Sequence, residues 1–224
     1  YTPNTWTKGN VTVTLPTKNG YSTVYTTNGT TPTKDSTKYS APFTVSGNCK
    51  INYLYTDGTN IGGAGTVNVT NIDKLVPNAF TPKTTVTTNS IKVDGTTTDA
   101  TATSTNGSSG IKEYRFSKDG GKTYTNAQTS ATYTFSRLTQ NVEYTIVVEA
   151  KDNAGNTTTG TVKATTGTVP TASGATYTPT TWTKGNVTVT LPTKSGYSTV
   201  YTTNGTAPTV SSTKYSSAFA VSTN

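Results

Sequence analysis

Trp6–Leu15 reads WTKGNVTVTL, and the same ten residues return unchanged as Trp182–Leu191. Within the stretch, Val11, Val13 and Leu15 alternate with Thr12 and Thr14. That is the two-residue period of a strand with one buried and one wet face. Pro16 has no amide hydrogen to give a ladder and ends the strand. The repetition extends outward: residues 1–48 match residues 177–224 at a constant offset of 176. Of the 48 pairs, nine differ (positions 4, 19, 31, 34, 35, 41, 42, 44 and 47) and 39 are identical. A repeat at fixed offset is the mark of an array of folded units. Nothing after Asn224 matches Cys49–Val76, so the chain is expected to be a slice of a longer one.

The rest of the first unit reads the same way. Tyr21–Tyr25 is a second strand, bounded by Asn19-Gly20 and Asn28-Gly29, pairs that take the positive φ angles of tight hairpin turns. Phe43–Val45, Ile51–Tyr55 and Val67–Val69 supply three more, with a turn at Asp57-Gly58. Short strands at this spacing, with turn signals between them, predict a sandwich. Asn71–Pro77 reads as a short, stiff connector, because Pro77 and Pro82 restrict the backbone.

Residues 78–168 do not repeat the first unit but are also strand-like. Ile91–Val93, the pair Tyr114 and Phe116, the pair Tyr133 and Phe135, and Thr161–Ala164 each mark a strand. Glu143–Ala150 is the strongest, with Tyr144, Ile146, Val148 and Ala150 expected inward and Glu143, Thr145 and Glu149 outward. No stretch carries a helical period. The expected fold class is all-β, a tandem of sandwiches with boundaries at 1–76, 77–170 and 171–224.

Composition narrows the function. Only 30% of residues are hydrophobic, and Thr is the commonest residue, with Asn, Gly, Ser and Tyr also abundant, which suits pleated sheets with thin cores. The net charge of +8 divides as +3, +2 and +3 over the three segments, and no Lys or Arg run exists. A nucleic-acid surface concentrates its basic residues, whereas single lysines blunt strand edges, so no nucleic-acid partner is expected. No apolar run is long enough for a membrane span.

Two resemblances follow from particular residues. Leu138-Thr139-Gln140-Asn141-Val142-Glu143-Tyr144, followed by Ile146 and Val148, resembles the tyrosine corner of a fibronectin type III domain. The resemblance implies that the Tyr144 hydroxyl bonds back to upstream backbone. The early-strand Trp of that family is missing, so the segment is fibronectin-like or bacterial Ig-like, and Lys151–Asn156 is similar to the last hairpin of Ig-like repeats of bacterial surface proteins. In the repeated unit, Tyr25–Thr33 and Tyr39–Phe43 are similar to the Ig-like module at the C-terminus of chitobiase and hexosaminidase-type enzymes, with Asn28 where that pattern usually has Asp. Trp6–Val13 also resembles Ig-like repeats of Gram-positive surface proteins. These likenesses imply sandwich scaffolds and transfer no catalytic residue.

Catalysis finds little support. With no His and one Cys, neither a Ser-His-Asp nor a Cys-His system can be assembled, nor a zinc site of Cys and His. Glu143 and Glu149 read as solvated positions on one exposed strand face. No cofactor and no metal is expected. Calcium would need converging oxygens to which Asp73 or the Asp152–Asn156 turn could contribute, but a plain hairpin turn explains that run. A Lys–Asn isopeptide has Lys92, Asn156 and Glu149 as its near-candidates, and an outward Glu149 argues against it. Cys49 reads as a small apolar residue beside Ile51. Asn10, Asn28, Asn68 and Asn186 stand in Asn-x-Thr sequons that follow from composition.

Sugar binding would use exposed aromatics, and the candidates are Trp6, Trp182, Tyr21, Tyr25 and Tyr39. A Trp at the first strand of a small sandwich more often plugs the core. The expected function is therefore a non-catalytic structural or adhesive tandem from an extracellular, bacterial cell-surface protein or fibre. Its expected partners are neighbouring repeats of the same chain or identical chains, with cell-wall or polysaccharide glycans as further candidates. The alternative is a carbohydrate-binding accessory tandem of a secreted glycoside hydrolase. Thr176–Asn224 lacks counterparts of Ile51–Tyr55 and Val67–Val69, so its core is expected to be open, to be completed by following residues or by another chain.

Overall fold

The computed structural model describes residues 1–222, so the final two aligned positions, Thr223 and Asn224, lie outside the described residues. Among the described residues all regular structure is β, and the chain divides into two compact units, Tyr1–Thr168 and the residues from Val169 onward. No helix among the described residues is long and apolar enough to cross a membrane.

The first unit begins with β1 (Val11–Val13), β2 (Ser22–Thr26), β3 (Thr37–Lys38), β4 (Phe43–Val45), β5 (Cys49–Thr56) and β6 (Ile61–Val69). A two-stranded sheet, β1-β4, faces a four-stranded sheet of order β3-β2-β5-β6. Between them Val11, Val13, Leu15, Ile51, Val69 and Ile72 form one core, every member at 2% exposure or less. The alternation of Val11, Val13 and Leu15 is thus the inward face of β1 and its extension. The fifth segment runs from Ile61 and not from Val67, because Gly62, Gly63 and Gly65 continue the strand without side chains. At Gly65 the absent Cβ leaves the space taken by the Tyr53 ring.

β7 (Lys83–Val86), β8 (Ile91–Asp94), β9 (Ile111–Ser117), β10 (Thr132–Phe135), β11 (Glu143–Asp152) and β12 (Thr157–Thr165) make a second sandwich within the same unit. Its sheets are ordered β10-β8-β7 and β12-β11-β9. Ile91, Val93, Phe116, Ile146, Val148 and Ala150 lie at 0% exposure in its core. The Tyr144 hydroxyl accepts a hydrogen bond from the Thr139 amide at 3.1 Å, fastening the loop ahead of β11 to the strand. On the opposite face of β11, Glu143 is exposed as its sequence suggests, but the rest of that face is partly covered. A loop from Ser117 to Thr125 crosses it, Gly120 bonding to the Thr145 carbonyl, so Val147 is buried and Glu149 mostly covered.

The second unit contains β13 (Thr176–Thr178), β14 (Val187–Thr190), β15 (Val200–Tyr201), β16 (Thr213–Lys214) and β17 (Phe219–Val221). They form a three-stranded sheet, β13-β14-β17, and a two-stranded one, β15-β16. The ladders of the first copy recur at the same offset: Val187 opposes Val221 as Val11 opposes Val45, and Val200 opposes Lys214 as Val24 opposes Lys38.

Candidate functional site

The most concentrated chemistry lies where the two sandwiches of the first unit meet. Asn71–Asp73, which reads as connector, is buried, with Ile72 and Asp73 both at 0% exposure. Backbone bonds from Thr7 to Asn71 and from Asp73 to Thr7 hold this segment beside Thr7. The Asn48 side chain brackets Ile72, donating to its carbonyl at 3.0 Å and accepting from its amide at 2.8 Å. A main chain this buried needs such partners, because an unpaired amide or carbonyl is costly.

From this segment the Asp73 carboxylate reaches across to the second sandwich, accepting from the Ser109 amide at 2.8 Å and from Leu75 at 3.1 Å. Asp152, also at 0% exposure, caps its own turn by accepting from the amides of Gly155 and Asn156. Asn156 then donates its side-chain amide to Asp152 and to the Asp73 carbonyl, at 2.8 and 2.9 Å. Asp99 accepts from Ala100, Gly110 and Ser108. One oxygen from each of Asp73, Asp99 and Asp152 falls within 4.8 Å of the others. None of the three carboxylates forms an ion pair among the described residues.

These three residues could hold a hard cation, which takes carboxylate and carbonyl oxygens. All six of their carboxylate oxygens already accept a hydrogen bond, so the cluster also stands as a structural knot that ties the Asp73 segment to two loops of the second sandwich. Asp99 is the member that sequence reasoning missed. It lies in a Thr-rich loop with no spacing relation to the other two.

The aromatic candidates scatter. Trp6 is 37% exposed and rests against Gly107, where a Cβ would overlap the ring. Trp182, its counterpart, is fully exposed at 102%. Neither plugs a core, and each precedes its strand. Tyr21 is exposed and carries the Lys18 ammonium over its ring at 5.3 Å. Tyr25 and Tyr39 come together around Phe43, Tyr25 stacked at 4.5 Å and Tyr39 edge-on at 6.3 Å, and pack on the first core.

Charged groups on the second sandwich pair with each other. Arg115 donates twice to one Glu149 oxygen, at 2.7 and 3.0 Å, and lies 5.1 Å from the Tyr124 ring. Lys151 reaches Glu113 at 3.3 Å, and Lys163 reaches Glu143 at 2.7 Å. Burial pushes the Tyr124 hydroxyl above its ordinary pKa. Glu149 is thus an ion-pair partner under a loop and not a solvated position. Lys92 lies on the exposed face of β8, in the sheet opposite Glu149, and the Asn156 amide is committed to Asp152 and Asp73, so no isopeptide triad assembles. Cys49 is half-buried against the first core, and burial raises its thiol pKa.

Against this geometry stand the likenesses to known proteins. The family model of the chitobiase/beta-hexosaminidase C-terminal domain matches residues 2–66 and again 179–224. Among solved structures, chitinase ChiA74 from Bacillus thuringiensis is similar at 24% identity and a TM-score of 0.34, over 54% of this chain and 18% of that one. The chicken CNTN1 FN1–FN3 domains are similar at 14% identity and a TM-score of 0.33, over 73% of this chain and 65% of that one. The chain therefore spans less than two thirds of either. No curated protein matches it. The two copies of the repeat, over residues 2–66 and 179–224, are thus similar to the chitobiase/beta-hexosaminidase C-terminal domain.

Proposed function

We propose that this chain is a non-catalytic structural or adhesive tandem of three modules, 1–76, 77–170 and 171–224, belonging to an extracellular protein of a bacterial surface or fibre. Its partners are neighbouring repeats of the same chain or identical chains. The observation that carries this reading is the buried junction. Ile72 and Asp73, at 0% exposure, are bonded on one side to Thr7 and Asn48 and on the other to Gly107, Ser109 and Asn156. A hinge would leave such a segment solvated; a spacer that transmits force along its length needs it locked. The test is backbone ¹⁵N relaxation on residues 1–168. The reading expects one rotational correlation time for both sandwiches, and independent tumbling overturns it.

A second reading has its own support: Trp182 offers a whole indole face to solvent, and the matched family is named for chitobiase and beta-hexosaminidase. In this reading the chain is a carbohydrate-binding accessory tandem of a secreted glycoside hydrolase. Chitin, cellulose and peptidoglycan pull-downs with W6A and W182A separate the two. Binding lost in W182A, with folding intact, favours the accessory reading; no binding by the unaltered chain removes it.

A further inference from the structure

The second copy reproduces part of the first closely enough for the first to say what its open side accepts. Tyr201 stacks on Phe219 at 4.3 Å as Tyr25 stacks on Phe43 at 4.5 Å, and the paired registers are the same. The cover differs. In the first copy the hairpin β5–β6 lies along β2, with Ser22, Val24 and Thr26 opposite Thr56, Leu54 and Asn52. Its Ile51, Tyr53, Val67 and Val69 pack on Val11, Val13 and Leu15. In the second copy Val187, Val189 and Leu191 are only half-buried.

The backbone of the second copy is open along the same line. Tyr215 donates to the Thr199 carbonyl as Tyr39 does to Thr23. Successive residues of an antiparallel strand face alternate neighbours. Ser198, Val200 and Thr202 therefore direct their amides and carbonyls to the edge away from β16, where no strand is paired among the described residues. Along that edge runs a cleft of about 440 Å³, between Tyr197–Val200 and the Val169–Ser173 segment. A neighbouring cleft of about 450 Å³ continues over Leu191 and Tyr201. At an offset of 176 these are the positions that β5 occupies in the first copy.

We propose that this edge is a strand acceptor whose occupant is a β-hairpin with the alternating apolar pattern of Cys49–Val69. The hairpin adds antiparallel, so that residues in the places of Leu54 and Asn52 oppose Val200 and Thr202. Main-chain bonds to the exposed edge give affinity, and side chains in the places of Ile51, Tyr53, Val67 and Val69 give specificity by covering Val187, Val189 and Leu191. The inference goes beyond the spacer reading and does not depend on it, since it concerns this unit alone.

A synthetic peptide of residues 48–72, added to the intact chain, tests it by residue-resolved amide exchange. The expected result is saturable slowing at Ser198, Val200 and Thr202, at least about tenfold, with one peptide per chain. Ser22–Thr26 stays unchanged. The same peptide carrying I51K and V67K has no effect, and the chain variant L191K no longer responds. Three results overturn the proposal. One is no slowing with peptide at about 1 mM, which means the Val169–Ala175 segment closes the edge itself. Another is equal slowing by the altered peptide. The third is slowing that follows chain concentration without peptide, which means two edges pair with each other.

Discussion

The first and second copies share 39 of 48 residues, yet Leu15 is 2% exposed while Leu191 is half-buried, and Trp6 rests on Gly107 while Trp182 is bare. The ladders and the aromatic stack are the same in both. Local sequence therefore builds the half-sandwich, and cover from outside the repeated stretch determines how dry its core is. That cover is the β5–β6 hairpin on one side and the Asn71–Asp73 segment on the other. The lesson is physical: a strand's alternation sets which face turns inward, whereas burial needs a second layer.

The largest test of this contrast is a pair of truncations. L15A should destabilise its module by about 2–5 kcal/mol, the cost of a cavity in a closed core. L191A should cost less than about 1 kcal/mol, since little water is excluded there to begin with. Urea unfolding of each variant checks both. Appending a second Cys49–Val76 segment after the second copy should bring the two costs together.

Next in size is the junction. N156A removes the donor to the buried Asp73 carbonyl and to Asp152, and leaving those acceptors unpaired should cost about 1–3 kcal/mol each. Thermal unfolding should show the loss in residues 1–168 and leave 169–224 unchanged.

Smaller is the effect on the first tryptophan. G107A places a methyl where the Trp6 ring lies, so the ring must move, at about 1 kcal/mol. In a W182F background the Trp6 emission should shift to the red, toward that of the exposed Trp182 in a W6F chain.

The smallest expected effect is acid on the β5–β6 turn. Backbone and side-chain hydrogen bonds from Asn60, with a further one from Thr59, hold Asp57 down to about 2 from its ordinary 3.8. A depressed acid stabilises the fold above its unfolded pKa, and that contribution fades as pH falls through the folded value. Between pH 4 and pH 2 the amides of Thr59 and Asn60 should lose protection in the first copy, and D57A should abolish the pH dependence. NMR titration reads it directly.

Much of the architecture was legible from residues that alternate. Val11, Val13 and Leu15, and Ile146, Val148 and Ala150, point inward as their spacing implies. Other elements carry no such signal. Thr37–Lys38 is too short and too polar, Lys83–Val86 is mostly Thr and Lys, and Ile61–Gly65 hides a strand behind glycines. Asn71–Asp73 reads as linker because its burial depends on loops more than 30 residues away in sequence, such as that of Ser109 at a separation of 36. The same holds for the carboxylate cluster, where Asp99 meets Asp73 and Asp152 only after both sheets have closed. Tryptophan misled the core assignment because size and hydrophobicity do not say which way a residue ahead of a strand will turn.

The central claim is that the two copies differ by cover and not by their own sequence. Its most direct test is amide exchange of Val24 and Val200 in the unaltered chain. Both residues face the same edge of equivalent strands, but only Val24 has Leu54 opposite. The account predicts that Val24 exchanges at least about a hundredfold more slowly than Val200. Equal protection at the two positions, in a chain shown to be monomeric, would contradict it.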